Sequence, residues 1–108
     1  MINIDSLILN TTIKEILNEL KTEINSQGNN YFRIIKNSGN DIMTNCPFHK
    51  DGQEHKPSFG INVDSGLCHC FTCGYSSNLP ELISDIFGKN DYGRFGLNWL
   101  KTNFCAVD

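Results

Sequence analysis

Two short runs in this chain carry side chains that bind metals, Cys46-Pro47-Phe48-His49 and Cys70-Phe71-Thr72-Cys73-Gly74. Each run has two residues between its candidate ligands, and 20 residues separate His49 from Cys70. Thiolates and imidazoles at this spacing converge from a tight turn, and two such half-sites brought together by a hairpin make a tetrahedron for zinc. Pro47 stiffens the first turn, and Gly74 suits the crowded backbone of the second. A catalytic zinc keeps one position open for water, with a carboxylate base beside it. Four protein ligands leave no such position, so we expect one structural Zn2+ on Cys46, His49, Cys70 and Cys73.

Cys68 and His69 immediately precede Cys70 and compete for a place in that set. In an extended strand Cys68 and Cys70 share a face while His69 points away, so the rival set is Cys46, Cys68, Cys70 and Cys73, with His49 released. His55 reads as a solvated loop residue and Cys105 as a thiol outside the site. A disulfide framework fits poorly, because the five cysteines are odd in number and no secretory leader precedes them. No paired carboxylates and no nucleophile with an adjacent base are legible, so no catalytic residue is expected.

The elements that must position these residues follow from periodicity. Ile13, Ile16, Leu17, Leu20 and Ile24 mark one face of a helix, and Thr12 with Glu15 forms a capping box at its start. A turn-rich stretch over 25–30 ends it. Short β-like runs follow at 31–36 and 41–45 around a Ser38-Gly39-Asn40 turn, then at 58–63 and 67–71 around Asp64-Ser65-Gly66. These predict two hairpins, the second delivering Cys70 and Cys73. Asn78 and Glu81 repeat the capping pattern before Leu79, Leu82, Ile83, Ile86 and Phe87, with Pro80 in the first turn and Gly88 as the stop. A last helical segment, 91–104, carries Phe95, Leu97, Trp99, Leu100 and Phe104, although Gly93 and Gly96 weaken it. The expected fold class is α+β: a zinc ribbon on a small antiparallel sheet with flanking helices.

A chain of 108 residues suits a single domain, which we divide into an N-terminal helical segment (1–30), a ribbon of two hairpins (31–76) and C-terminal helices (77–108). Hydrophobic residues make up 39%, lean for a self-sufficient core, so a metal cross-link would help it. The formal charge of −3 becomes one unit more negative once three thiolates and a divalent ion are counted, which argues against a broadly basic nucleic-acid binder. Paired cysteines used as ligands suit a reducing compartment, so we expect a cytoplasmic protein, and no apolar run is long enough to span a membrane.

Cys46-Pro47-Phe48-His49, Lys56-Pro57-Ser58-Phe59 and His69-Cys70-Phe71-Thr72-Cys73-Gly74, in that order, resemble the N-terminal zinc-binding domain of DnaG-type bacterial, phage and plasmid DNA primases. The resemblance covers residues 31–88 and continues weakly through Ser77-Asn78-Leu79-Pro80-Glu81-Leu82-Ile83. The sequence departs from the family pattern in a longer loop between His49 and Pro57, in Ser77 where glycine is common, and in Cys68 where an aromatic residue is common. What the resemblance implies is a ribbon that contacts single-stranded template DNA and helps a separate catalytic domain begin a primer. That catalytic domain, or a replicative helicase, would be its protein partner. The chain ends before the acidic catalytic domain that such primases carry next.

Candidate DNA contacts are Arg33, Lys36, Lys50 and Lys56 for phosphates and Tyr75 for a base, since ring faces stack on unpaired bases for about 1–3 kcal/mol each. From 31 to 75 the four basic residues are balanced by Asp41, Asp51, Glu54 and Asp64, so DNA binding would be weak and assisted by a partner. The alternative is a stand-alone ribbon that docks on a replication or defence protein, favoured by the acidic balance.

Overall fold

The computed structural model describes residues 2–4, 6–26, 32, 35–48 and 57–104. It opens with a hairpin, β1 (Ile2–Ile4) and β2 (Leu7–Leu9), paired antiparallel around Ser6, whose φ is 71°. Strands this short leave no periodic signal in the sequence. Helix α1 (Ile13–Asn25) follows, and the Glu15 N–H donates to Thr12 Oγ1 at 3.2 Å, as the capping pattern requires. The reciprocal half of the box is changed: Glu15 Oε2 accepts from the Thr11 hydroxyl at 3.0 Å. Ile13, Ile16, Leu17, Leu20 and Ile24 are all buried, the face that the periodicity assigns to the core.

A five-stranded antiparallel meander comes next, in the order β3 (Ile35–Ser38), β4 (Asp41–Thr44), β5 (Phe59–Asn62), β6 (Cys68–Cys70) and β7 (Ser76–Ser77). The first strand starts later than the run at 31–36 suggests, because Phe32 sits in a turn with φ 53° and is completely buried. The two expected hairpins are joined through β4 and β5, where Ile42 faces Ile61 and Thr44 faces Phe59. In the second hairpin Asn62 Oδ1 accepts from the N–H groups of Asp64 (3.0 Å) and Ser65 (2.9 Å), and Gly66 closes the turn at φ 75°. A Cβ at Gly66 would lie 3.0 Å from Ile4 Cδ1 and 3.1 Å from Leu79 Cβ, so this turn is wedged between β1 and the helices.

Helix α2 (Leu79–Ile86) begins with the Glu81 N–H donating to Asn78 Oδ1 at 2.9 Å. Helix α3 (Arg94–Phe104) begins with the Phe95 N–H donating to Asp91 Oδ2 at 3.0 Å. Gly96, which lowers helix propensity, is what allows α3 to cross α2: a Cβ there would fall 1.9 Å from the Pro80 carbonyl oxygen. The Gly96 N–H also donates to Ser84 Oγ at 2.8 Å, so the crossing is sealed by a buried hydrogen bond. The ends of the fold are tied together. The Asn10 N–H caps the Phe104 carbonyl at 2.9 Å, and Trp99 Nε1 donates to Glu23 Oε2 at 2.6 Å. One apolar core runs from Ile4 and Leu9 through α1 to Ile42, Phe59, Ile61, Leu82, Ile83 and Leu100. The fold is α+β, as the sequence reading expected.

Candidate metal centre and sheet face

Alternation along β6 divides its side chains. Cys68 and Cys70 face inward and are 2% and 0% exposed, while His69 between them faces solvent. Cys70 then leads into the turn 71–73, which swings Cys73 back beside it, and the loop after β4 supplies Cys46. The sulfurs of Cys46, Cys70 and Cys73 all lie within 4.8 Å of one another, and Cys46 Sγ and Cys73 Sγ are 3.8 Å apart. A tetrahedron with Zn–S bonds of about 2.3 Å has edges of about 3.8 Å, so the Cys46–Cys73 separation matches one edge of a zinc site.

The backbone prepares these sulfurs for negative charge. The Phe48 N–H donates to Cys46 Sγ and the Cys73 N–H to Cys70 Sγ, both at 3.4 Å, and Ser58 Oγ lies 3.6 Å from Cys70 Sγ. Burial pulls the Cys70 thiol upward, but the donors from Cys73, Ser58 and Thr72 outweigh it and bring the pKa down to about 6. Cys46 moves the other way: burial pushes its thiol up, and the neighbouring Cys70 opposes a second charge. Three thiolates this close need a cation between them, which zinc supplies.

Cys68 stands outside the cluster, with its Sγ 3.2 Å from the Gly66 carbonyl, and burial pushes its thiol up to about 12. Of the four expected ligands the structure gathers the three cysteines. His49 lies outside the described residues, as do His55 and Cys105.

Rings lock the two half-sites together beside the metal. Phe48, from the first, meets Tyr75, just after the second, with centroids 4.2 Å apart, and both lie near Phe59. The Tyr75 hydroxyl donates to Asp85 Oδ2 of α2 at 2.5 Å. Burial, with that carboxylate second, raises the Tyr75 pKa. Tyr75, expected to stack on a base, is thus half-buried in this aromatic group.

The opposite face of the sheet is open. Lys36, Met43, Gly60, His69 and Ser76 form one row across the five strands, and Phe71 leans over Gly60, where a Cβ would lie 3.4 Å from its ring and 3.2 Å from Met43 Sδ. Phe71 is 67% exposed and meets His69 edge to face at 4.9 Å. Leu67, 61% exposed, lies one residue before the same strand. Of the candidate phosphate contacts, Lys36 lies on this face, and Arg33, Lys50 and Lys56 lie outside the described residues. Met43 and Gly60 carry no signal in the sequence, and His69 enters there only as a rival metal ligand. The alternation about Cys70 was the signal that placed His69 and Phe71 opposite the metal.

The family of the CHC2 zinc finger of DnaG matches residues 8–92, most of the chain. The chain belongs to that family. As a CHC2 zinc finger it is also similar to curated proteins named DNA primase: 32% identical over 72 residues to one from Lactococcus lactis (66% of this chain), and 35% identical over 75 residues to one from Staphylococcus aureus (68%). The aligned segments span 11% and 12% of those relatives' own lengths. This CHC2 zinc finger is a primase-type zinc module, and its zinc is structural. Among the described residues no helix is long and apolar enough to cross a membrane.

Proposed function

We propose that this module holds single-stranded template DNA and thereby assists primer initiation by a separate catalytic domain. Its zinc is completed by His49 as the fourth ligand. The observation that carries the reading is the open sheet face, where Phe71, packed over Gly60, and His69 are exposed and Lys36 lies at the edge. Exposed rings offer stacking surfaces to unpaired bases, and a lysine at the border holds a phosphate. The curated relatives are named DNA primase and are far longer than the matched segment, which supports a division of labour between template holding here and chemistry elsewhere. A reducing cytoplasm suits the thiolate cluster. With Arg33, Lys50 and Lys56 as further phosphate contacts, the affinity still depends mainly on stacking, because acidic residues balance these charges.

Fluorescence anisotropy of the zinc-loaded protein with short single-stranded oligonucleotides, at low and moderate salt, tests this. Binding with a shallow salt slope that is weakened by Phe71→Ala supports the reading. An absence of binding at every salt concentration removes it.

A further inference from the structure

A groove of about 400 Å³ runs between α1 and α3, far from the zinc ligands in sequence, lined by Glu23, Phe95, Asn98, Trp99, Thr102 and Asn103. No basic side chain is among them. The polar groups whose orientation is fixed present acceptors. Glu23 Oε2 takes the Trp99 indole proton, and its second oxygen has no partner among the described residues. Asn103 Nδ2 donates to the Trp99 carbonyl at 2.8 Å, so its amide oxygen remains available. Phe95 supplies most of the apolar surface, with Trp99 only 7% exposed, and Lys89 Nζ, 5.7 Å from the Phe95 ring centre, is the cation that an incoming group would have to displace at that end.

The charge pattern of α1 strengthens the bias. Glu15, Glu19 and Glu23 recur every four residues and so share one edge of the helix, the edge that Glu23 turns toward α3, whereas Lys14 and Lys21 fall on the other side. A phosphate approaching this edge meets carboxylates. A ligand suited to it carries a flat cation with several donors and an aliphatic stem.

We propose that this groove receives an arginine side chain from a basic segment of a partner protein. The stem packs on Phe95 and Trp99, while the guanidinium donates to Glu23 and to the Asn103 amide oxygen. Guanidinium meets both requirements, since its fork pairs with a carboxylate and its plane lies against rings, which a lysine ammonium does less well. The groove therefore serves a protein partner, on a different part of the molecule from the DNA face, and this inference does not rest on the DNA reading.

The probe is the peptide acetyl-Ala-Ala-Arg-Leu-Ala-amide, added to zinc-loaded protein and followed at the indole N–H of Trp99, the one tryptophan in the sequence. A saturable shift is expected, with the citrulline counterpart binding about tenfold more weakly because the charge-assisted bond is gone. Glu23→Gln keeps an acceptor for the indole and so keeps the fold, and it weakens the arginine peptide about fivefold or more. Glu15→Gln, two turns away and screened by salt, weakens binding far less than Glu23→Gln does. No shift with peptide up to about 10 mM, equal binding of the citrulline peptide, or full binding by the folded Glu23→Gln variant overturns the proposal. A short oligothymidylate that produces the same indole shift overturns it as well, because the groove would then belong to nucleic acid.

Discussion

The ribbon and the helical half of this molecule are held together by different means. Around the helices the core is supplied by Ile4, Leu9, the buried face of α1, Leu79, Leu82, Ile83, Trp99 and Leu100. Among the described residues the ribbon contributes Phe32, Ile42, Phe59 and Ile61, with Ile35, Val63 and Tyr75 partly buried against them, and its remaining core positions are Cys46, Cys68 and Cys70. Burying an aliphatic or aromatic side chain contributes about 1.5–3 kcal/mol, so four of them cannot balance the backbone entropy of five short strands. Zinc makes up the difference there, whereas the helical half depends on close packing. The lesson is that one short chain can keep a region with a thinner core, provided that a metal fixes it.

The strongest way to break that comparison is to remove the metal. Cys73→Ser, or chelation of the native protein, is expected to release zinc and disorder the ribbon, because structural sites of this kind carry about 10–16 kcal/mol of apparent binding energy. Measured by zinc content and by amide NMR, ribbon resonances should collapse while Trp99 keeps a buried emission. Loss of both halves together would show that they fold as one unit. Gly96→Ala attacks the other half: with 1.9 Å between the new Cβ and the Pro80 oxygen, α3 must move off α2, at a cost of about 3 kcal/mol or more, read as a lowered Tm with zinc content retained.

Acid separates the halves more gently. The Cys70 pKa is lowered from 9.0 to about 6, so the stabilisation given by its thiolate is complete above the unfolded value and is lost as pH falls through about 6. Zinc affinity, followed with a chromogenic chelator, should therefore fall as the pH is lowered, because protons compete with the metal for the thiolates, and the Trp99 signal should hold. Phe71→Ala tests the exposed face alone: stability should change little, while affinity for single strands falls by about 1–3 kcal/mol, the worth of one stacked base. The smallest effect is expected from Tyr75→Phe, which removes the hydroxyl bonded to Asp85 but keeps the ring against Phe48, for about 1 kcal/mol by denaturant unfolding.

What could be read from the sequence was local. Thr12 and Asn78 announced the starts of α1 and α2 because a capping side chain acts within three residues. The three cysteines could be assigned because half-site spacing is a local constraint, and alternation alone separated Cys68 from His69. What could not be read depends on partners distant in the chain. Gly96 looked like a flaw in a helix, and its reason is the Pro80 peptide sixteen residues earlier. The hairpin at Ile2–Leu9 has strands of three residues each, too short for periodicity to register, and its place is set by the far end of the chain. The packing of Tyr75 against Phe48 and Phe59 depends on three-dimensional neighbours that no spacing rule supplies.

The bond from the Asn10 N–H to the Phe104 carbonyl, with the Glu23–Trp99 pair beside it across 76 residues, has a consequence for the order of events during synthesis. Residues around Asn10 must wait for residues around Phe104. Loop closure over such a span costs entropy before any contact repays it, so docking of the N-terminal hairpin belongs to the final steps of folding. On the ribosome, Leu9 and the inner face of α1 stay uncovered on this side until α3 has emerged, and this lengthens the time during which a nascent chain needs protection.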